Sequence, residues 1–165
     1  MRNAAKRISL MLLAVLLLIS LAACGNTRYS KLGISFEIPS RLEPRAVAGA
    51  VFAYGDGESF IVFTRRTRAE LSANGLSEIN VSEFTDRFLT ESGMKDSIDV
   101  SYSTDRAEFS YVVEDPEEAD LYYYYYTVIM KGNDCIWIVQ MSTYDALADK
   151  YTPDFKKWAA SIEIE

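Results

Sequence analysis

The sequence predicts an α+β domain, a mostly antiparallel sheet of about six to seven strands flanked by two or three helices. Three observations predict it. Apolar residues alternate with a period of two in several short runs, and turn sequences join these runs. Helical spacing is confined to two or three stretches. No helix intervenes between every pair of strands, which a doubly wound parallel sheet would require.

Each element follows in order. In 33–38, Ile34, Phe36 and Ile38 alternate with Ser35 and Glu37, a half-buried strand stopped by Pro39. Residues 40–48 read as a connection containing Pro44. The runs 50–54 and 59–65 form a hairpin around Gly55-Asp56-Gly57. Residues 67–76 suit a short helix ended by Asn74-Gly75. Asn80 with Glu83 three residues on is a capping box, and Val81, Phe84, Phe88 and Leu89 then share one helical face up to Gly93. Period two returns in Ile98, Val100 and Tyr102 and again in Phe109, Tyr111 and Val113. An acidic loop spans 115–120. A long hairpin pairs 121–130 with 135–142 across Lys131-Gly132-Asn133-Asp134. Thr152-Pro153 reads as a helix start, with Phe155, Trp158, Ala159 and Ile162 as its buried stripe.

The N-terminus has a different character. Residues 1–7 carry three positive charges (Arg2, Lys6, Arg7), and 8–23 are almost wholly apolar, the layout of a secretory signal. The run ends in Leu21-Ala22-Ala23-Cys24, which resembles the bacterial lipobox. That resemblance implies a diacylglyceryl group on Cys24 and removal of 1–23, leaving 24–28 as the lipidated cysteine and a short tether, whose residues 25–28 reach about 15 Å, and 29–165 as a single domain. A membrane-spanning helix is the competing reading, but the apolar run falls short of the roughly 20 residues a span needs. The expected location is therefore the extracytoplasmic face of a bacterial cell membrane, contacted through the lipid.

The chain of 165 residues has 24 acidic and 17 basic residues. Residues 1–23 hold three of the basic ones and no acid, so the remainder carries −10. This gives no basic footprint for nucleic acid and disfavours direct contact with anionic headgroups. The chain has no histidine, which excludes Ser-His and Cys-His nucleophiles, histidine metal sites and an imidazole switch. Lipidation of Cys24 leaves Cys135 alone, with no disulfide partner; at the start of an apolar strand it reads as a buried, inert thiol.

Gly33-Ile34-Ser35-Phe36-Glu37-Ile38-Pro39 near the start and Phe155-Lys156-Lys157-Trp158-Ala159-Ala160-Ser161-Ile162 at the end resemble the opening and closing motifs of the PsbP-like superfamily. The resemblance spans most of 29–165 and implies a central antiparallel sheet flanked by helices, in a family mostly without enzymatic activity. It brings no site residue with it.

The most unusual feature is Tyr122-Tyr123-Tyr124-Tyr125-Tyr126. On a strand, Tyr122, Tyr124 and Tyr126 face one way and Tyr123 and Tyr125 the other. Two readings stay open: helices cover both faces and the phenols are core, or one face is exposed as a rigid aromatic binding surface with polar tips. Three other clusters are weaker. Asp115, Glu117, Glu118 and Asp120 lack the spacing and turn glycine of a calcium loop and read as a solvated hairpin loop. Arg65, Arg66 and Arg68 suit ion pairs with the surplus acids, or an anionic ligand. Asn80-Val81-Ser82 matches a glycosylation acceptor that a bacterial export signal makes irrelevant. No serine has a visible activating base. The expectation is a membrane-anchored, non-catalytic binding or accessory module for a protein partner or small ligand, without a cofactor or metal. The alternative is a carboxylate-based hydrolase or metal-dependent enzyme of the envelope.

Overall fold

A computed structural model describes residues 25–76, 80–95 and 97–165. Residues 1–23 and the lipobox Cys24 lie outside the described residues. No helix among the described residues is long and apolar enough to cross a membrane.

Among these residues the chain forms ten strands and three helices. The main sheet is seven-stranded and antiparallel, in the order β3 (Glu43–Arg45), β4 (Phe52–Gly55), β5 (Ser59–Thr67), β9 (Cys135–Tyr144), β8 (Tyr122–Lys131), β7 (Arg106–Glu114) and β6 (Ser101–Ser103). A smaller sheet places β2 (Ile34–Pro39) between β1 (Asn26–Lys31) and β10 (Glu163–Ile164). The α+β class is therefore the one the sequence predicts.

Alternation along β8 and β9 gives the main sheet two apolar faces and so two cores. On the first face, Val128, Trp137, Val139, Met141, Ile61 and Phe63 are buried against Phe36 of β2 and against Phe155 and Trp158 of the C-terminal helix α3 (Ala148–Ala160). Rings continue across this layer: Phe36 lies 4.2 Å from Phe63 and 5.6 Å from Phe52. On the second face, Ile129, Ile136, Ile138 and Phe109 pack under α1 (Arg68–Ala73) and α2 (Val81–Glu91) through Leu71, Phe84 and Leu89.

Local chemistry explains the helix starts. The Asn80 side chain accepts from the Glu83 amide at 2.9 Å, and the Glu83 carboxylate accepts from the Asn80 amide, the expected capping box. A second capping box, Thr67 with Glu70, begins α1.

Four expectations need correction. First, 26–28 are not tether but the start of β1, which pairs with β2 from Asn26↔Pro39 to Lys31↔Ile34. The Ser40 amide and hydroxyl both donate to the Gly25 carbonyl, at 3.0 and 2.6 Å, and close this end. Second, the connection 40–48 contains β3, which holds the edge of the main sheet against β4. Third, Ile98 and Val100 are outside any strand and pack partly against the second core, so β6 is only Ser101–Ser103. Fourth, α3 starts at Ala148, after a 3-10 turn over Asp145–Leu147, and Pro153 lies inside it. The Thr152 hydroxyl donates back to the Ala148 carbonyl at 2.8 Å instead of capping. Burial of Tyr151 and Phe155 on one face outweighs the amide hydrogen bond that proline removes.

Candidate functional site: the tyrosine end of the sheet

Strand β8 rises from an exposed end into the core. Tyr122 is 40% exposed, Tyr123 to Tyr125 are half-buried, and Tyr126 to Met130 are buried. The five phenols therefore do not form one surface. On the first face, Tyr126 is buried and donates to the Glu108 carboxylate, which also holds Arg106 at 2.5 Å. Burial, reinforced by this carboxylate, pushes the Tyr126 phenol far up. Tyr124 lies flat against Phe155 of α3, 6.4 Å between ring centres and 5° from parallel. These two belong to the core reading.

The second face differs. Here α1 and α2 cover the end of the sheet around Ile129, Ile136 and Ile138. Cross-strand register puts Tyr125 beside Tyr111 of β7 and Ser142 of β9, and Tyr123 beside Val113 and Tyr144. The rings pair along these rungs: Tyr111 and Tyr125 stack at 5.1 Å and 11°, Tyr123 and Tyr144 at 5.4 Å and 28°. Phe109 continues the row 6.0 Å from Tyr111, and Phe88 of α2 lies 6.0 Å beyond Phe109. One end of this aromatic ladder thus lies under α2 and the other is open, with Tyr144 38% and Val113 41% exposed.

The open end is also polar at its tips. Gln140 donates to the Tyr111 hydroxyl at 2.7 Å, which fixes that ring. Burial raises the pKa of Tyr111 and Tyr125, and Tyr123 is raised as well. Near neutral pH these phenols are therefore uncharged and able to donate. Stacked rings on paired strands lose little side-chain freedom when a partner covers them.

The sequence reading missed Tyr111, Tyr144 and Gln140 as members of this patch. They lie far from the tyrosine run in sequence, and only strand register joins them. The remaining candidates do not gather here. In the acidic loop the Asp115 carboxylate accepts from the Glu117 and Glu118 amides at 2.7 and 3.1 Å, and no group of three or more metal-ligating side chains is found among the described residues. Arg65 and Arg66 point to opposite faces; the Arg65 guanidinium lies 5.8 Å from the Trp137 ring, and Arg68 is 3.8 Å from Asp134. Cys135 is buried.

No family model matches the chain, and no curated protein matches it. Its fold is shared with solved structures. The Saccharomyces cerevisiae Ran-binding protein Mog1p superposes with a TM-score of 0.55 at 7% identity, over 86% of this chain and 96% of that one. A Bacteroides thetaiotaomicron protein superposes at 0.53 with 15% identity over 84% of this chain. This chain spans about half (48%) of that protein's length. Cyanobacterial PsbP (CyanoP) of Synechocystis lies further off, at 0.49 and 16% identity, over 87% of this chain and 94% of that one. At such identities the likeness is one of fold alone. The two end motifs that resemble PsbP-like proteins fall on β2 with the preceding Gly33 and on the last two turns of α3 with the two residues that follow, and their apolar residues Ile34, Phe36, Ile38, Phe155, Trp158, Ala159 and Ile162 meet in the first core.

Proposed function

We propose that this chain is a lipid-anchored, non-catalytic module of the bacterial cell envelope that binds a protein partner through the open end of the second sheet face. The observation that carries the reading is the open end of the aromatic ladder, where Tyr144 is exposed and Tyr111, Tyr123 and Tyr125 are half-buried. Rigid, uncharged phenols stacked on adjacent strands present a large contact area with hydrogen-bonding tips, the chemistry of a protein-binding surface. The absence of histidine from the sequence removes the commonest general base. Mog1p is described as a Ran-binding protein, so this fold serves at least one protein that binds another. The lipid anchor rests on Leu21-Ala22-Ala23-Cys24 alone.

Cross-linking and pull-down of the full-length protein from its native membrane tests the reading. One stoichiometric partner is expected, lost in Tyr125→Ala and retained in Tyr102→Ala, a tyrosine near α2 and away from the open end. A partner held equally by both variants removes the tyrosine patch as the site. The anchor is tested separately, by loss of incorporated radiolabelled fatty acid in Cys24→Ser.

A further inference from the structure

The two outer edges of the main sheet are built differently. At one, β3 is three residues long and consists of Glu43, Pro44 and Arg45. Short length, proline and charge are the devices that keep strand edges from pairing with other chains. At the other, β6 covers only the beginning of β7, pairing 101–103 with 106–108. Beyond Glu108 the strand runs on as Phe109-Ser110-Tyr111-Val112-Val113-Glu114 with no neighbour on that side among the described residues.

Hydrogen-bond alternation shows what this edge offers. The Asp105 carbonyl accepts from the Lys131 amide, and the Asp115 amide donates to the Leu121 carbonyl, so odd-numbered residues of β7 bond towards β8. The even-numbered Ser110, Val112 and Glu114 therefore turn their N–H and C=O groups outwards. Val112 is 47% exposed, and Ser110 and Glu114 are exposed as well. Beside Ser110 the departing chain leaves a cleft of about 550 Å³ lined by Asp99, Val100, Ser101, Tyr126 and Lys156. The far end leads into Glu114, Asp115, Glu117, Glu118 and Asp120, none of which forms an ion pair among the described residues.

We infer that the β7 edge from Ser110 to Glu114 receives an extended segment of a partner protein as an eighth strand, with the segment's lysines or arginines beside the acidic hairpin tip. This deepens the partner-binding reading above and rests on it. Main-chain bonds to Ser110, Val112 and Glu114 would hold the segment, and its alternate side chains would lie beside Ser110 and Val112 on one face and Tyr111 and Val113 on the other. Charge selects this occupant. A second copy would bring another −10 to an edge that already ends in five acids.

The test uses the peptide Lys-Arg-Val-Thr-Val-Thr-Val-Thr and a control with Glu-Glu replacing Lys-Arg. With the basic peptide, amide exchange at Ser110, Val112 and Glu114 is expected to slow by about tenfold or more, and with the control to stay unchanged. Val112→Pro deletes one outward N–H that has no internal partner. Val112→Lys leaves the backbone intact and keeps the test valid if the proline variant does not fold. Both are expected to abolish the slowing. Equal slowing by both peptides, undiminished slowing in Val112→Lys, or a concentration-dependent dimer that Val112→Lys dissolves would each overturn the inference. A native partner lost in Tyr125→Ala but kept in Val112→Lys would overturn the edge while leaving the binding function standing; a partner kept in both would end both readings.

Discussion

Tyr125 and Tyr111 stack across the β7–β8 pair with ring centres 5.1 Å apart and planes 11° from parallel. Neither ring is fully buried, so the stack belongs partly to stability and partly to the surface. Tyr125→Ala is expected to cost about 1–2 kcal/mol in urea unfolding, the loss of a stacked aromatic pair and some apolar contact. Binding of the partner should fall far more than that cost explains. If the variant unfolds outright, the ring is core and the surface reading fails.

Phe155 is fully buried between Tyr124, Tyr151 and Trp158. Phe155→Ala should destabilise the domain by about 3–5 kcal/mol, because the cavity is closed in by β2 and the main sheet and cannot collapse. A loss below about 1 kcal/mol would mean that α3 is not firmly docked.

Tyr126 predicts an alkaline limb in the stability curve. Burial raises its folded-state pKa above the ordinary 10.0, so the folded form binds this proton more tightly than the unfolded form does. The stabilisation is complete below about pH 10 and falls away as pH rises above it. Tyr126→Phe should flatten that limb and cost about 1.5–3 kcal/mol at neutral pH, the range for a hydrogen bond to a charged group. Denaturant midpoints measured from pH 7 to 11 decide it.

Glu58 makes the opposite prediction at low pH. Its carboxylate accepts from Lys150 at 2.8 Å and from the Tyr151 hydroxyl at 2.7 Å, and the Lys150 bond leads in holding its pKa below 4.5. A depressed carboxylate contributes above its unfolded pKa, and that contribution is lost as pH falls through the folded one. Glu58→Gln should therefore narrow the stability difference between pH 7 and pH 3, read as the shift in Tm. An unchanged acid limb would show that the exposed Lys150 pair contributes nothing measurable.

How much of this could be read from the sequence depends on where the deciding signal lies. Asn80 and Glu83 announced their helix because a capping box is a contact between near neighbours. Strand β1 was hidden. Its residues, Asn26 to Lys31, show little apolar alternation, and its turn, Leu32-Gly33, has a positive φ at both positions (54° and 82°) with leucine where asparagine or aspartate would have signalled the hairpin. Pro153 misled because its usual place is the first helical turn, whereas burial of Tyr151 and Phe155 carries the helix through it. The tyrosine run was visible as composition, but which phenols are core depends on where two helices sit and which strands lie alongside. Tyr111 and Tyr144 joined the patch only through register.

The bonds from Ser40 to Gly25 carry a mechanical consequence. Asn26 and Pro39 sit at the open mouth of the β1–β2 hairpin, so any pull on the chain ahead of residue 25 arrives there first. It loads the two Ser40 bonds and the 3.1 Å contact between the Thr27 and Ser40 hydroxyls before it reaches a core side chain. Force applied there would peel β1 away one rung at a time, and the Gly25–Ser40 closure sets the threshold at which peeling begins.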